Sequence, residues 1–118
     1  KKLKKKSIKI IGRSIFLQGL FFKNKKFIFK NFKNIEKNYN KLIKIAHYEK
    51  MTLGELSLVW ANHLKEVDNI ILGVDNLPHL KKNLDSLKKR ISKESYNLIK
   101  KINLENNKIT KPYLWKKQ

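Results

Sequence analysis

Cysteine is absent from the 118 residues, which excludes disulfides and thiolate metal sites. The three histidines, His47, His63 and His79, are too scattered to predict another kind of metal site. No apolar run approaches the ~18 residues of a membrane span. The basic residues 1–6 precede a segment that is too short and too charged for a signal peptide. A reducing compartment is compatible with this composition, and we expect a cytoplasmic protein with no metal and no membrane partner.

Arginine is scarce, although the formal net charge is +20. Arg13 and Arg90 are the only arginines, and lysine supplies nearly all of the positive charge. Recognition of phosphates and base edges favours the planar arginine fork. Lysine, asparagine and isoleucine are all plentiful here and all have A/T-rich codons, and the lysines are spread along every predicted helix. A biased genome therefore explains much of the charge, and a nucleic-acid partner is not expected.

A small basic nucleic-acid-binding protein is nevertheless the alternative from another functional class. In that hypothesis, phenylalanines between lysines would serve as stacking platforms for bases. The candidates are Phe16, Phe21, Phe22, Phe27 and Phe29.

Strand and helix patterns alternate along the chain. The predicted strands are residues 7–12 and 67–72, and the predicted helices are residues 35–50, 52–64, 76–88 and a last one from Ser92. Residues 13–34 show no clean period and predict a long loop. Thr52 and Glu55 form a capping-box pattern, and Leu98, Ile99 and Ile102 are expected to face inward.

Two strands separated by helices indicate a parallel α/β arrangement, but two strands do not form a stable parallel sheet alone. The chain also does not begin with Met. We therefore expect a single partial domain over residues 1–118, with further strands on its N-terminal side.

Residues 70–83 carry the clearest local signal of a binding site. An apolar run of strand length ends at Gly73, and leucines at helical spacing begin at Leu77. Unpaired backbone N–H groups and the positive end of a helix would then meet at one place, which favours an anion such as phosphate. Any strand–glycine–helix unit looks similar, so the pattern needs support from elsewhere in the chain.

That support comes from the octet at residues 13–20, Arg-Ser-Ile-Phe-Leu-Gln-Gly-Leu, which resembles the loop after the seventh barrel strand in the aldo-keto reductase superfamily. The other segments keep that family's order. Similar segments are residues 42–50 and 52–64 (the paired seventh helices), 67–74 (the eighth strand), 76–87 (the last barrel helix), 92–94 (the start of the C-terminal helix) and 112–115 (the tail). The resemblance covers nearly the whole chain from Ile8 onward.

The resemblance implies an α/β fold, namely the helix-rich C-terminal fragment of a (β/α)8 TIM barrel with about strands 7 and 8. Phosphates commonly bind at the loops after these two strands. By similarity, Ser14, Phe16 and Gln18 lie along the pyrophosphate and ribose of a nicotinamide cofactor. Gly73, Val74, Asp75 and His79 would surround the adenosine ribose, and Asn83 would meet the adenine edge.

The cofactor implied is NADP or NAD. Asp75 would repel the 2′-phosphate of NADP, whereas a carboxylate suits the 2′-hydroxyl of NAD. His79 and nearby lysines could still pair with a phosphate, and Lys82 stands where the family commonly has an acidic residue.

The family's catalytic Asp, Tyr, Lys and His belong to the first half of the barrel, and no residue here matches their motifs. The resemblance thus implies a parent enzyme that reduces a small-molecule carbonyl by hydride transfer, with substrate specificity influenced by residues 16–32. This chain would be inactive by itself, and a truncated pseudo-reductase is a further alternative.

Overall fold

The computed structural model describes residues 6–32, 35–102, 109, 111, 113 and 115. In these residues, two short strands and five helices follow one another. They are β1 (Ile11–Gly12), α1 (Lys25–Asn31), α2 (Glu36–Tyr48), α3 (Leu53–Asn62), β2 (Asn69–Ile70), α4 (Leu77–Leu87) and α5 (Lys93–Lys100). A short 3-10 helix, Leu20–Phe22, lies between β1 and α1.

The two strands are parallel, as the sequence predicts. Ile11 lies opposite Asn69, and Gly12 lies opposite Ile70. The pairing is extended at one end, where the Ile10 N–H donates to the Asp68 carboxylate over 2.8 Å. The strands are shorter than predicted. A run of β-branched residues indicates extended backbone, but the hydrogen bonds of a sheet form only where a partner backbone lies alongside.

The prediction of a long loop over residues 13–34 is wrong in its second half. Lys25–Asn31 forms α1, and the Asn24 side chain caps it by accepting from the Phe27 N–H over 2.8 Å. Ile28 lies fully buried in the core, while the lysines of the helix are exposed. Seven residues give fewer than two full turns, so the lysines between the apolar positions hide the helical period.

The core lies where α2 and α3 meet the segment of the 3-10 helix and α1. Its buried residues are Leu20, Ile28, Phe32, Ile35, Tyr39, Ala46, Leu53, Leu56 and Ile109. Helix α3 is the central element, because it packs against α2, α4 and the 3-10 helix.

The apolar spacing of the helix after Thr52 predicts a buried stripe of Leu56, Val59, Trp60 and Leu64, and this stripe is only partly buried. Leu56 and Val59 are each 1% exposed, whereas Trp60 and Leu64 are half-buried. Leu58, which lies outside the predicted stripe, is also buried. Burial on several sides follows from the central place of α3 among its neighbours.

Helices α4 and α5 have apolar residues that the described part of the chain leaves exposed. On α4, the leucines at helical spacing include Leu77, Leu80 and Leu84, which are all exposed. On α5, Ile99 packs against the core, but Leu98 is 46% exposed, so the prediction that it faces inward is wrong. Helical spacing places residues on one face, but it does not supply a partner for that face.

The C-terminal tail contacts the core through one aromatic ring. Trp115 packs edge-on against Phe32 with ring centroids 5.1 Å apart, while Tyr113 is exposed. The apolar character of residues 112–115 predicts that the tail docks on a surface, and the contact of Trp115 supports this prediction. Pro112 and Leu114 lie outside the described residues.

Candidate functional site

The segment after β1 has an unusual backbone. Ser14, Leu17 and Gln18 have φ angles of 57°, 47° and 54°, and Gly19 follows at 77°. Residues other than glycine rarely adopt this left-handed backbone conformation, because their Cβ atom crowds the following carbonyl oxygen. The turn is held by a 2.8 Å hydrogen bond from the Leu17 N–H to the Ser14 carbonyl. Such strain tends to concentrate at functional sites.

The segment after β2 leads into α4 through a side-chain cap. Asn76 precedes the helix, and its Oδ1 accepts from the His79 N–H over 2.9 Å. One of the backbone donors that the sequence predicts to be free for an anion is therefore already bonded. Gly73 has no positive φ, and a Cβ atom built there would meet nothing within 4 Å. Neither backbone conformation nor a close neighbour in the described residues requires a glycine at position 73.

The two segments meet at the start of α3 and enclose an open cleft of about 570 Å³. Six of the eight predicted site residues line this cleft. They are Phe16, Gln18, Gly73, Asp75, His79 and Asn83. The structure thus brings together residues that are up to 67 positions apart in sequence.

Two predicted site residues are not among those lining the cleft. Ser14 lies on a separate apolar cavity of about 290 Å³, although its Oγ accepts from the Gln18 side chain over 3.4 Å. Val74 is 43% exposed and lines neither the cleft nor the apolar cavity.

Sequence reasoning missed the contribution of the start of α3. Thr52, Gly54 and Glu55 line the cleft, as do Phe22 and Lys82. The capping-box pattern correctly predicts that a helix begins at this place. It contains no information about which loops face that helix start, and only the three-dimensional packing shows it.

Glu55 is held as an ionised carboxylate. Its Oε2 accepts from the Thr52 N–H over 2.7 Å, and the Lys89 ammonium donates to its Oε1 over 2.8 Å. The reciprocal bond from the Glu55 N–H to the Thr52 hydroxyl, at 3.2 Å, completes the predicted capping box. Burial alone would raise the pKa of Glu55, but these hydrogen bonds and Lys89 outweigh it and lower the pKa to about 2. Glu55 is therefore unsuited to donate a proton near neutral pH.

The remaining charges at the cleft have both signs. The Asp75 side chain is 92% exposed, and its carboxylate lies 3.8 Å from His79 Nδ1. Lys23 and Lys82 also border the cleft and are exposed. The arrangement can pair with phosphates through its cations and with a hydroxyl through Asp75. Among the described residues, no group of three or more His, Cys, Asp or Glu could hold a metal ion.

An aromatic pair forms another part of the cleft lining. The rings of Phe16 and Phe22 lie with their centroids 5.3 Å apart and their planes inclined by 57°. Phe22 is 66% exposed. The cleft therefore combines charged and amide side chains with an accessible aromatic surface, a mixture typical of small-molecule sites.

No helix in the described part of the chain has the length and apolar character needed to cross a membrane. The comparison with curated proteins and the comparison with solved structures give no significant match. The sequence model of the Aldo/keto reductase family, by contrast, matches residues 1–104. The helix-rich fold with a small parallel sheet is that expected of a part of an α/β barrel. The resemblance found in the sequence is therefore confirmed, and the chain belongs to the Aldo/keto reductase family, a family of oxidoreductases.

Proposed function

We propose that the cleft binds the nicotinamide dinucleotide of an oxidoreductase that reduces a small-molecule carbonyl. The observation that carries this proposal is the convergence of the two segments after β1 and β2 on one cleft. The strands are parallel and adjacent, so the segments that follow them leave the same edge of the sheet. In barrel enzymes of this kind, that edge carries the active site, and loops after the last two strands commonly bind phosphate.

The dimensions and donors of the cleft support the proposal. A volume of about 570 Å³ falls in the usual range for cofactor sites, roughly 300–1,000 Å³. We propose that His79 and Lys82 face the phosphates, that Gln18 lies along the pyrophosphate, and that Asn83 recognises the adenine edge. Bound there, the dinucleotide would supply the hydride for carbonyl reduction.

The choice between NAD and NADP depends on Asp75 and its neighbours. An exposed carboxylate accepts a hydrogen bond from the ribose 2′-hydroxyl of NAD and repels the 2′-phosphate of NADP. The exposed ammonium of Lys82 borders the same cleft and moderates this repulsion. We propose that the site accepts both cofactors with a modest preference for NAD.

We further propose that this chain corresponds to strands 7 and 8 of the barrel with their helices and the C-terminal helix, in a cytoplasmic enzyme. The catalytic Asp, Tyr, Lys and His would then belong to the first half of the barrel, and the chain by itself would not turn over.

The nucleic-acid alternative receives less support from the aromatic side chains. Phe21, Phe27 and Phe29 are half-buried and pack against the core, and Phe29 makes an edge contact with Tyr39 at 5.7 Å. A row of accessible rings, as used to stack successive bases, is therefore not present among these three phenylalanines. If the chain bound single-stranded DNA with an affinity that falls steeply as the salt concentration rises, the nucleic-acid alternative would be favoured.

Replacement of Asn83 tests the dinucleotide proposal directly. We expect Asn83→Ala in the full chain to weaken binding of NADH about fivefold, because one hydrogen bond to the adenine edge is worth about 1 kcal/mol. The measurement is a fluorescence titration with NADH and, in parallel, NADPH. Asn97→Ala is the matched control, because Asn97 is an exposed helical asparagine on α5 that does not line the cleft. Equal affinities of the wild-type chain and Asn83→Ala would reject the role of Asn83, and no binding by the wild-type chain would reject the proposed function.

A further inference from the structure

Gly54 is a glycine whose backbone does not need one. It is the second residue of α3, is buried and has no positive φ. Glycine lowers helix stability relative to alanine, so its presence inside a helix points to a close neighbour. That neighbour is Phe22, since a Cβ atom at position 54 would lie 2.7 Å from Phe22 Cε1 and 3.1 Å from Cζ.

The contact fixes where the Phe22 ring lies. The ring lies against Gly54 at the start of α3, where a Cβ atom would leave no room for it, and its centroid is 5.3 Å from that of the Phe16 ring. Two-thirds of Phe22 still remains exposed. An alanine at position 54 would have to displace the ring, and the exposed side of Phe22 offers space for that movement.

An aromatic pair with one exposed ring, Phe22, lies beside charged residues and indicates the chemistry of its ligand. Lys82, His79 and Asp75 border the same cleft and suit phosphates and a ribose hydroxyl, whereas Phe16 and Phe22 offer ring surface. A ligand that uses both features carries anionic groups and a planar ring. Stacking on an aromatic side chain is the usual way in which proteins bind such rings irrespective of their hydrogen-bonding pattern.

We infer that Phe16 and Phe22 form a platform in which a planar heterocycle of the dinucleotide stacks on the exposed Phe22 ring while Phe16 supports that ring at an angle, and that Gly54 is the positioning residue that keeps Phe22 in this platform. The inference rests on the proposed function and adds residues of the 3-10 helix and α3 to the site. Gly54 acts through Phe22, so its replacement is expected to matter only while the phenylalanine is present.

A double-mutant cycle with Phe22→Ala and Gly54→Ala in the full chain tests this coupling. We expect Phe22→Ala to weaken NADH binding about tenfold, in the range found for base–aromatic stacking. Gly54→Ala alone should weaken binding by at least about threefold. Gly54→Ala added to Phe22→Ala should cause no further loss, because the alanine methyl then has no ring to displace. Parallel titrations with AMP and with nicotinamide mononucleotide show which ring stacks. Phe22→Ala should weaken the binding of the mononucleotide whose ring stacks on Phe22 and leave the binding of the other unchanged.

Thermal midpoints of all four proteins separate binding from folding. The inference predicts that Gly54→Ala weakens binding without lowering the midpoint, because alanine favours the helix. An equal loss of affinity in both backgrounds would show that Gly54 acts on the helix rather than through the ring and would overturn the inference. Unchanged affinity in the single variants, with the wild-type chain binding NADH, would overturn the platform but leave the proposed function standing. Absence of binding by the wild-type chain would overturn both.

Discussion

Glu55 shows how a single side chain can link the stability of the fold to pH. Its folded-state pKa is lowered from an ordinary value of 4.5 to about 2, so the carboxylate stabilises the fold fully above pH 4.5 and loses that effect as the pH falls towards 2. We expect Glu55→Gln to lower the free energy of unfolding at pH 7 by roughly 1–3 kcal/mol. The lower part of this range is expected, because the Lys89 side chain is 39% exposed and solvent screens the pair. Urea unfolding of both proteins at pH 7, 4 and 2.5 should show the difference shrinking with acidity.

Asp85 provides the matched control for this pH dependence. Its carboxylate accepts from Lys88 over 2.6 Å, but both side chains are more than 60% exposed. Exposed ion pairs contribute little to stability, so Asp85→Asn should change the free energy of unfolding by less than about 0.5 kcal/mol at pH 7. A Glu55→Gln effect of the same size at pH 7 and pH 2.5 would contradict the assigned protonation state.

At the residue scale, the cofactor-binding roles stay predictions, but the two motifs identify several residues that the structure places at one cleft, while Ser14 and Val74 of the same motifs do not line it. Phe16, Gln18, Asp75, His79 and Asn83 all line the cleft. The left-handed backbone of Leu17 and Gln18 has no sequence signal, because glycine and asparagine are the usual residues in that region. The close contact of Gly54 with the Phe22 ring is equally hidden in the sequence, since the two residues are 32 positions apart in the chain.

At the element scale, Glu49 and Ser92 join the end of α2 to the beginning of α5. The Ser92 hydroxyl donates to Glu49 Oε1 over 2.6 Å and also accepts from the Ser95 N–H over 3.1 Å, which caps the helix. Burial alone would raise the pKa of Glu49, but hydrogen bonds from Ser92 and Ser95 lower it below its ordinary value. One hydroxyl therefore serves both a helix cap and a contact between two helices.

We expect Ser92→Ala to lower the free energy of unfolding by about 1.5–2 kcal/mol, because the cap and the carboxylate contact are lost together. Asn24→Ala is the comparison, because it removes a cap of similar geometry on α1. There the Asn24 side chain accepts from the Phe27 N–H. We expect Asn24→Ala to lower the free energy of unfolding by about 1 kcal/mol. Urea unfolding measures both values. A smaller effect for Ser92→Ala than for Asn24→Ala would show that the bond to Glu49 contributes nothing.

Helices with a long apolar period could be predicted from the sequence, and so could the eight-residue α5 that begins after Ser92, whereas α1 could not. Helices α2, α3 and α4 lie where the apolar spacing and, for α3, the capping box at Thr52 predict them. Helix α1 was missed because its seven residues show too little of the helical period. The exposed leucines of α4 illustrate a second limit, since periodicity predicts which residues share a face but not what covers that face.

At the scale of the whole molecule, the net charge of +20 is packed into a radius of gyration of 14.8 Å. The screening length is about 30 Å at 10 mM salt and about 8 Å at 0.15 M, so at low salt the positive charges repel one another across the entire chain. Self-repulsion of this kind destabilises a compact state. The composition alone leads to this conclusion, because it depends on the size and charge of the molecule and not on individual contacts.

Helix α2 offers a place to test this effect, because Lys37, Lys41 and Lys44 are exposed on one face of it. We expect NaCl to stabilise the wild-type chain as its concentration rises from about 10 mM to about 300 mM, since screening weakens the repulsion. The triple glutamine variant replaces Lys37, Lys41 and Lys44. We expect its free energy of unfolding to exceed that of the wild-type chain by about 0.5–1 kcal/mol at low salt and to rise less when salt is added. The corresponding triple arginine variant keeps the charge and is the control, with a salt dependence like that of the wild-type chain. Thermal unfolding at several NaCl concentrations gives the stability of all three proteins. If the glutamine and arginine variants have the same salt dependence, repulsion along α2 does not limit stability.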